Sequence, residues 1–116
     1  MKMIFAIHEP HTRRERPVDL EPLKAAGEHS FIFPQTYSPS YDPAAARDHA
    51  MEELADFDFD RDSLCWIGGD PIAPVVVTSA LAEMARDQGR RGLTWLRYER
   101  SKNGRPSRYS PVVVPI

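Results

Sequence analysis

Cysteine is almost absent from this 116-residue chain, and the single Cys65 excludes an intramolecular disulfide framework and a cysteine-rich zinc module. No apolar run approaches the roughly 20 residues of a membrane helix, and the apolar start at residues 3–8 is too short for a signal peptide. Neither sign of charge dominates, because 15 Lys and Arg residues stand against 17 Asp and Glu residues. We therefore expect a cytoplasmic globular protein without a membrane partner, folded as one domain over residues 1–116.

Short apolar runs alternate with helical patterns along the chain. We predict strands at residues 3–8, 30–33, 63–67, 93–98 and 109–114, with a helix in each of the first three intervals. Asp42-Pro43 and Asp70-Pro71 are typical helix starts, Asn103-Gly104 is typical of a hairpin turn, and Pro111 and Pro115 favour a sheet edge. The order predicts a three-layer, Rossmann-like α/β domain, with a mostly parallel sheet of about five strands and a C-terminal antiparallel hairpin.

Two expectations about packing follow from the helical patterns. The second predicted helix carries one apolar stripe that includes Leu54 and Phe57, while Glu52 and Glu53 face water. The first half of the third predicted helix, around Val75, is apolar nearly all round, which favours deep burial.

The turn after the third predicted strand is the clearest candidate for a binding site. Ligands of open α/β sheets bind beyond the carboxyl ends of the strands, where the loops at residues 8–17, 34–42 and 68–72 are expected to converge. Gly68 and Gly69 let the backbone approach a ligand closely, and the following helix start offers free N–H groups. Because Asp70 brings a negative charge to the turn, we expect the basic loop to supply the positive charge. The predicted ligand-binding residues are Arg13, Arg14, Arg16, Gly68, Gly69 and Asp70.

The spacing at this turn excludes two common nucleotide sites. It is not Gly-x-Gly-x-x-Gly, no Walker lysine follows, and the second strand runs into Pro34-Gln35 rather than into an acidic residue. A small anionic or nucleotide-like ligand remains one interpretation. The other is a tight strand-to-helix turn that Asp70 caps without any ligand.

Metal binding and catalysis have weaker support. His8, Glu9 and His11 are close in sequence, but three converging metal ligands are not indicated. Cys65 lies in an apolar strand and is typical of a packing thiol rather than of a nucleophile. We therefore predict neither a metal nor a cofactor, no catalytic residues, and a binding protein rather than an enzyme.

Charge is unevenly distributed along the chain. Residues 42–62 hold eight acidic and two basic residues, a local net charge of −6, whereas residues 86–108 hold eight basic and two acidic residues, a local net charge of +6. Basic residues among aromatic ones are typical of a surface that binds single-stranded nucleic acid, which makes single-stranded DNA an alternative partner. The residues of this alternative are Arg97, Tyr98, Arg100, Lys102, Arg105 and Arg108.

The same features allow two protein partners. The basic hairpin pairing with the acidic helix of a second copy would give a homodimer. An exposed apolar patch would instead favour an inhibitor or modulator of another protein, and Tyr37, Tyr41 and Phe59 are the candidates for it.

Three segments in this order resemble a family of small tailed-bacteriophage proteins that has no established activity. They are Asp62-Ser63-Leu64-Cys65-Trp66-Ile67-Gly68-Gly69-Asp70-Pro71, Leu93-x-Trp95-x-Arg97 and Tyr109-Ser110-Pro111-Val112. The resemblance covers residues 62–116 best, is looser at residues 3–16 and 38–57, and fails at the longer hairpin, residues 101–107. It implies a phage origin, the host cytoplasm as location and a shared fold, but no mechanism. With a phage origin, the partner of an inhibitor or modulator would be a host protein.

Overall fold

The structure, a computed structural model, describes residues 2–10 and 18–116. Strands and helices alternate in this part of the chain up to a final pair of strands. In chain order the elements are β1 (Ile4–His8), α1 (Glu21–Ala26), β2 (His29–Phe33), α2 (Pro43–Glu53), β3 (Ser63–Cys65), α3 (Ile72–Asp87), β4 (Gly92–Glu99) and β5 (Arg108–Pro115). The predicted alternation is confirmed.

The strands form one sheet in the order β2-β1-β3-β4-β5. β1 pairs in parallel with β2 and β3, and β3 pairs in parallel with β4. β5 runs antiparallel to β4, and their hairpin turns at Asn103-Gly104 between the bridged residues Lys102 and Arg105. The mostly parallel sheet and its antiparallel C-terminal hairpin confirm the predicted fold class.

Helices cover both faces of the sheet. On one face, Leu23 of α1 packs with Ile4 and Ala6 of β1 and with Cys65 of β3. On the other face, α2 and α3 pack against Ile7 and other core residues. Because successive side chains of β1 point to opposite faces, a short strand supplies apolar contacts to both layers.

Four local details differ from the sequence predictions. α2 ends at Glu53, so Leu54 and Phe57 reach the core from the turn after the helix rather than from a continued helical stripe. β3 ends at Cys65 instead of residue 67. Val75 of α3 is exposed, because only one side of the first half of this helix faces the sheet. Phe59 is buried and packs edge-on against Phe57, with ring centroids 5.0 Å apart.

The described part of the chain contains no helix long and apolar enough to cross a membrane.

Candidate ligand-binding site

The carboxyl ends of β1 and β3 lie side by side in the middle of the sheet. The connection that leaves β1 runs through α1 to β2 on one side, and the connection that leaves β3 runs through α3 to β4 on the other side. Connections that leave in opposite directions open a crevice at the strand ends, and ligands of α/β sheets bind at such a point. His8 ends β1 at this position, and residues 66–70 follow β3 into it.

Gly69 and His8 are in direct contact at this crevice. The backbone N–H of Asp70 donates a hydrogen bond to Nδ1 of His8 over 3.2 Å. Gly69 has a φ of 108°, and a Cβ on this residue would overlap Nδ1 of His8. Only glycine accommodates both the backbone conformation and the imidazole, so Gly69 holds the turn against the end of β1.

Asp70 connects the loop after β2 with the start of α3. Its carboxylate accepts hydrogen bonds from the N–H of Ser40 at 2.8 Å, from the Ser40 hydroxyl, and from the N–H of Ile72 at 3.0 Å. Burial opposes ionisation, but these hydrogen bonds outweigh it and lower the pKa of Asp70. Asp70 therefore accepts the N–H of the first residue of α3, although Pro71 rather than Asp70 directly precedes the helix. Its contacts with Ser40 also bring residues 34–42 and 68–72 together, as expected.

The start of α3 lacks the free N–H groups that the sequence suggested. Pro71 and Pro74 have no N–H to donate. The N–H of Ile72 bonds to the carboxylate of Asp70, and the N–H of Ala73 bonds to the carbonyl oxygen of Asp70 over 3.0 Å. An anion would meet the Asp70 carboxylate here rather than open donors, so the helix start is a poor phosphate site.

A groove of about 380 Å³ opens beside this turn, at the carboxyl ends of β3 and β4 on the α1 side of the sheet. We call it the aromatic groove. Its lining residues are Val18, Asp19, Trp66, Ile67, Gly68, Tyr98 and Tyr109. Trp66 is 40% exposed and Tyr98 is 46% exposed, and the rings of Tyr98 and Tyr109 lie 5.4 Å apart. Burial raises the pKa of Tyr109 to about 12, so its ring is an uncharged wall of the groove at neutral pH.

Of the residues that line the groove, the sequence identifies only Gly68 and Tyr98 as candidates. It does not identify Val18, Asp19, Trp66, Ile67 and Tyr109. The sequence predicts a strand that runs through Trp66 to residue 67, but β3 ends at Cys65 and the Trp66 side chain is partly exposed. The signal in the sequence is that Trp66 stands at the end of an apolar run, shortly before Gly68-Gly69. Nothing in the local sequence marks Val18 or Asp19, which reach the groove because they precede α1.

The predicted ligand-binding residues therefore separate into three groups. Gly68 lines the aromatic groove, whereas Gly69 and Asp70 contact His8 and the loop after β2. Arg13, Arg14 and Arg16 lie outside the described residues, and their role stays a prediction.

The predicted nucleic-acid residues are divided between the faces of the hairpin. Arg97 and Arg108 both bind the carboxylate of Glu99, at 3.0 and 2.8 Å, and the hydroxyl of Ser110 donates to it over 2.8 Å. The hydrogen bond from Arg108, followed by those from Ser110 and Arg97, lowers the pKa of Glu99 to about 2. Strand alternation puts this cluster on the face opposite Tyr98, so the two arginines and the tyrosine do not form one surface.

The other three predicted cations lie around the hairpin turn. Arg100, Lys102 and Arg105 line an open cavity of about 750 Å³ together with Glu99 and Arg108. Among the described residues, none of the three forms a salt bridge. Four of the residues that line this cavity are basic and one is acidic, so the cavity is a positively charged concave surface.

The three predicted residues of an exposed apolar patch have different environments. Tyr41 is 92% exposed. Tyr37 stacks on Phe33 and His49, with ring centroids 5.0 and 5.2 Å apart. Because Phe59 is buried in the core, the expected patch is not continuous, and the prediction for Phe59 is wrong.

Cys65 is fully buried in β3, and burial raises the pKa of its thiol to about 12. Its predicted role in packing is confirmed. Nε2 of His49 lies 2.8 Å from the carbonyl oxygen of Ile32, so this ring is held by the end of β2. Within residues 2–10 and 18–116, no three His, Cys, Asp or Glu side chains are arranged to hold a metal ion.

No protein-family model matches the sequence, and neither a curated protein nor a solved structure matches it.

Proposed function

We propose that the protein is a non-catalytic binding protein for a nucleotide-like ligand, whose base lies in the aromatic groove. The observation that carries the proposal is the position of Trp66, Tyr98 and Tyr109 around one groove at the carboxyl ends of parallel strands. The resemblance to tailed-phage proteins adds a phage origin to this proposal. Buried Cys65, whose pKa is raised to about 12, and hydrogen-bonded Asp70 support binding without turnover.

The groove suits a flat heteroaromatic group. Its volume of about 380 Å³ lies in the range of small-molecule sites. The rings of Trp66 and Tyr98 are about half exposed to water in a concave surface, which costs free energy. A base stacked on these rings would remove their apolar surface from water. Asp19 accepts from the N–H of Glu21 with one carboxylate oxygen, and its other oxygen can accept from an N–H of a base.

The negative charge of the ligand's phosphate would be balanced by a basic residue outside the groove. Arg100 follows Tyr98 by two residues, immediately beyond the end of β4, and lines the hairpin cavity. This arrangement supports a nucleotide over a ligand with several phosphates bound at the start of α3.

Tryptophan fluorescence tests the proposal directly. The chain contains two tryptophans, so Trp95→Phe leaves Trp66 as the only one. We expect AMP, GMP, CMP or UMP to quench Trp66 in a saturable way, and we expect Tyr98→Ala to weaken the binding about tenfold or more, because stacking on one ring contributes about 1–3 kcal/mol.

Tyr41→Ala is the matched control, because Tyr41 is an exposed tyrosine that does not line the groove. It should bind like the parent protein. The aromatic groove would be rejected as a base site if none of the four nucleotides quenched Trp66. It would also be rejected if the Tyr98 and Tyr41 variants lost equal affinity for the nucleotide.

A further inference from the structure

His8 carries a buried polar atom that the described protein does not use. The side chain is 4% exposed and packs edge-on against Phe33. Its Nδ1 accepts the N–H of Asp70, whereas Nε2 is buried and has no hydrogen-bond partner within residues 2–10 and 18–116.

The hydrogen bond to Nδ1 determines where the proton of the neutral imidazole resides. A neutral histidine has one accepting and one donating ring nitrogen. Because Nδ1 accepts from a backbone N–H, the proton is on Nε2, and His8 presents a donor on the side of the ring away from Asp70. Buried donors in native proteins are almost always paired, so an unpaired one points to a missing acceptor.

The position of His8 relates this donor to the proposed ligand. His8 ends β1 at the central crevice and contacts Gly69, while the preceding residue, Gly68, lines the aromatic groove. Among the described hydrogen bonds, the N–H groups of Gly68 and Gly69 have no acceptor either. The end of β1 and this turn therefore hold three N–H donors without a described acceptor, and one of the three residues, Gly68, lines the groove.

We propose that Nε2 of His8 donates a hydrogen bond to an acceptor oxygen of the nucleotide-like ligand, and so acts as a specificity-determining residue. The inference rests on the proposed function. The oxygen belongs either to the base and ribose or to the phosphoryl group, and both present the same chemistry to an N–H donor.

Nuclear magnetic resonance of the histidine side chains separates these sources. The probes are the nucleotide that quenches Trp66 most strongly, its nucleoside, and inorganic phosphate. A shift of the His8 Nε2–H signal with nucleotide and nucleoside assigns the oxygen to the base or ribose. A shift with nucleotide and phosphate only assigns it to the phosphoryl group. His49, whose Nε2 already lies 2.8 Å from the Ile32 carbonyl oxygen, should not respond.

Two substitutions distinguish ligand binding from a structural role. His8→Asn keeps an acceptor near the position of Nδ1 for the Asp70 N–H but removes the Nε2 donor. His8→Gln keeps a donor near the position of Nε2 but loses that acceptor. We expect the Asn variant to fold cooperatively and bind about three- to tenfold more weakly, the usual effect of one lost hydrogen bond, and the Gln variant to bind more tightly than the Asn variant.

Quenching of Trp66 without any response of His8 overturns this inference and leaves the proposed function intact. Parent-like binding by His8→Asn, or equal weakening by both substitutions, also overturns it. If no nucleotide quenches Trp66, the proposed function fails. A His8 shift with inorganic phosphate would then still support the donor site, and no shift would reject it.

Discussion

Gly68 and Gly69 are neighbours with similar backbone conformations and different surroundings. Their φ angles are 120° and 108°, in the region that favours glycine. A Cβ at Gly68 meets no atom within 4 Å, whereas a Cβ at Gly69 overlaps the His8 ring. Gly69→Val, an obvious test of the turn as a binding site, therefore also disturbs the fold and does not isolate ligand binding.

The two glycines form a matched pair for a stability measurement. We expect Gly68→Ala to lower the free energy of unfolding by about 1–3 kcal/mol, the cost of a strained backbone conformation. Gly69→Ala should lose at least about 1 kcal/mol more, because the methyl group overlaps His8. Urea unfolding of both variants measures the difference. An equal decrease in the free energy of unfolding of the two variants would contradict the contact between Gly69 and His8.

At the scale of elements, β5 forms one edge of the sheet and carries two prolines. The N–H of Ile116 donates to the carbonyl oxygen of Arg91 over 3.0 Å, so even-numbered residues of the strand bond inward to β4. The N–H positions of the odd-numbered residues face outward, and Pro111 and Pro115 leave only those of Tyr109 and Val113 as edge donors. Although Val113 is 71% exposed, this edge is a poor template for another strand.

The prolines therefore disfavour a homodimer formed by pairing of β5 edges. Replacing Pro111 and Pro115 together with threonine restores two outward donors, and each hydrogen bond contributes about 0.5–1.5 kcal/mol. We expect the double variant to self-associate about tenfold or more strongly than the parent protein, as measured by analytical ultracentrifugation.

Pro106→Thr is the control for this prediction, because Pro106 lies in the hairpin loop outside β5. It should associate like the parent protein. An unchanged oligomeric state in the double variant would show that the prolines do not protect the edge.

The elements could be predicted well because their signals are local. Proline after Asp42 marks the start of α2, Asn103-Gly104 marks the hairpin, and alternating apolar runs mark the strands. The aromatic groove could not be predicted in the same way. Trp66, Tyr98 and Asp19 come from different elements, and only the strand order places them together. The third strand ends after Cys65, and this single boundary decides that Trp66 faces outward.

At the scale of the whole molecule, the basic segment does not form one surface. Arg90 binds Asp60 through two hydrogen bonds of 2.6 and 2.8 Å, while Arg97 and Arg108 bind Glu99. Arg86 and Arg91 lie by the start of β4, and the hairpin cations lie beyond its other end. An eight-residue strand separates the two groups by roughly 25 Å. The local charge of +6 is therefore spread over two ends of the molecule.

If the protein binds single-stranded DNA, the alternative partner, the separation of the basic residues into two groups predicts which of them contact the phosphates. Replacing Arg100, Lys102 and Arg105 together with glutamine should reduce the salt dependence of oligothymidylate binding. The slope of log K against log salt should become shallower by about 2, because each phosphate contact on a single strand contributes about 0.7. Fluorescence anisotropy over a salt series measures this slope.

The matched control replaces Arg86 and Arg91 with glutamine, which should leave the slope unchanged. The reverse result would place the DNA at the other end of the sheet, and equal effects of both sets would place it at both ends. Either outcome would contradict the prediction. A parent protein that does not bind the oligonucleotide would exclude this alternative.

The burial of Cys65 has a further, practical consequence. The thiol is the only one in the chain, it lies in a central strand between β1 and β4, and burial raises its pKa to about 12. A thiol reagent reacts with the thiolate, so Cys65 reacts only when the middle of the sheet opens to solvent. The rate of its labelling therefore reports, without any introduced probe, how often the native protein exposes the strand from which the candidate site extends.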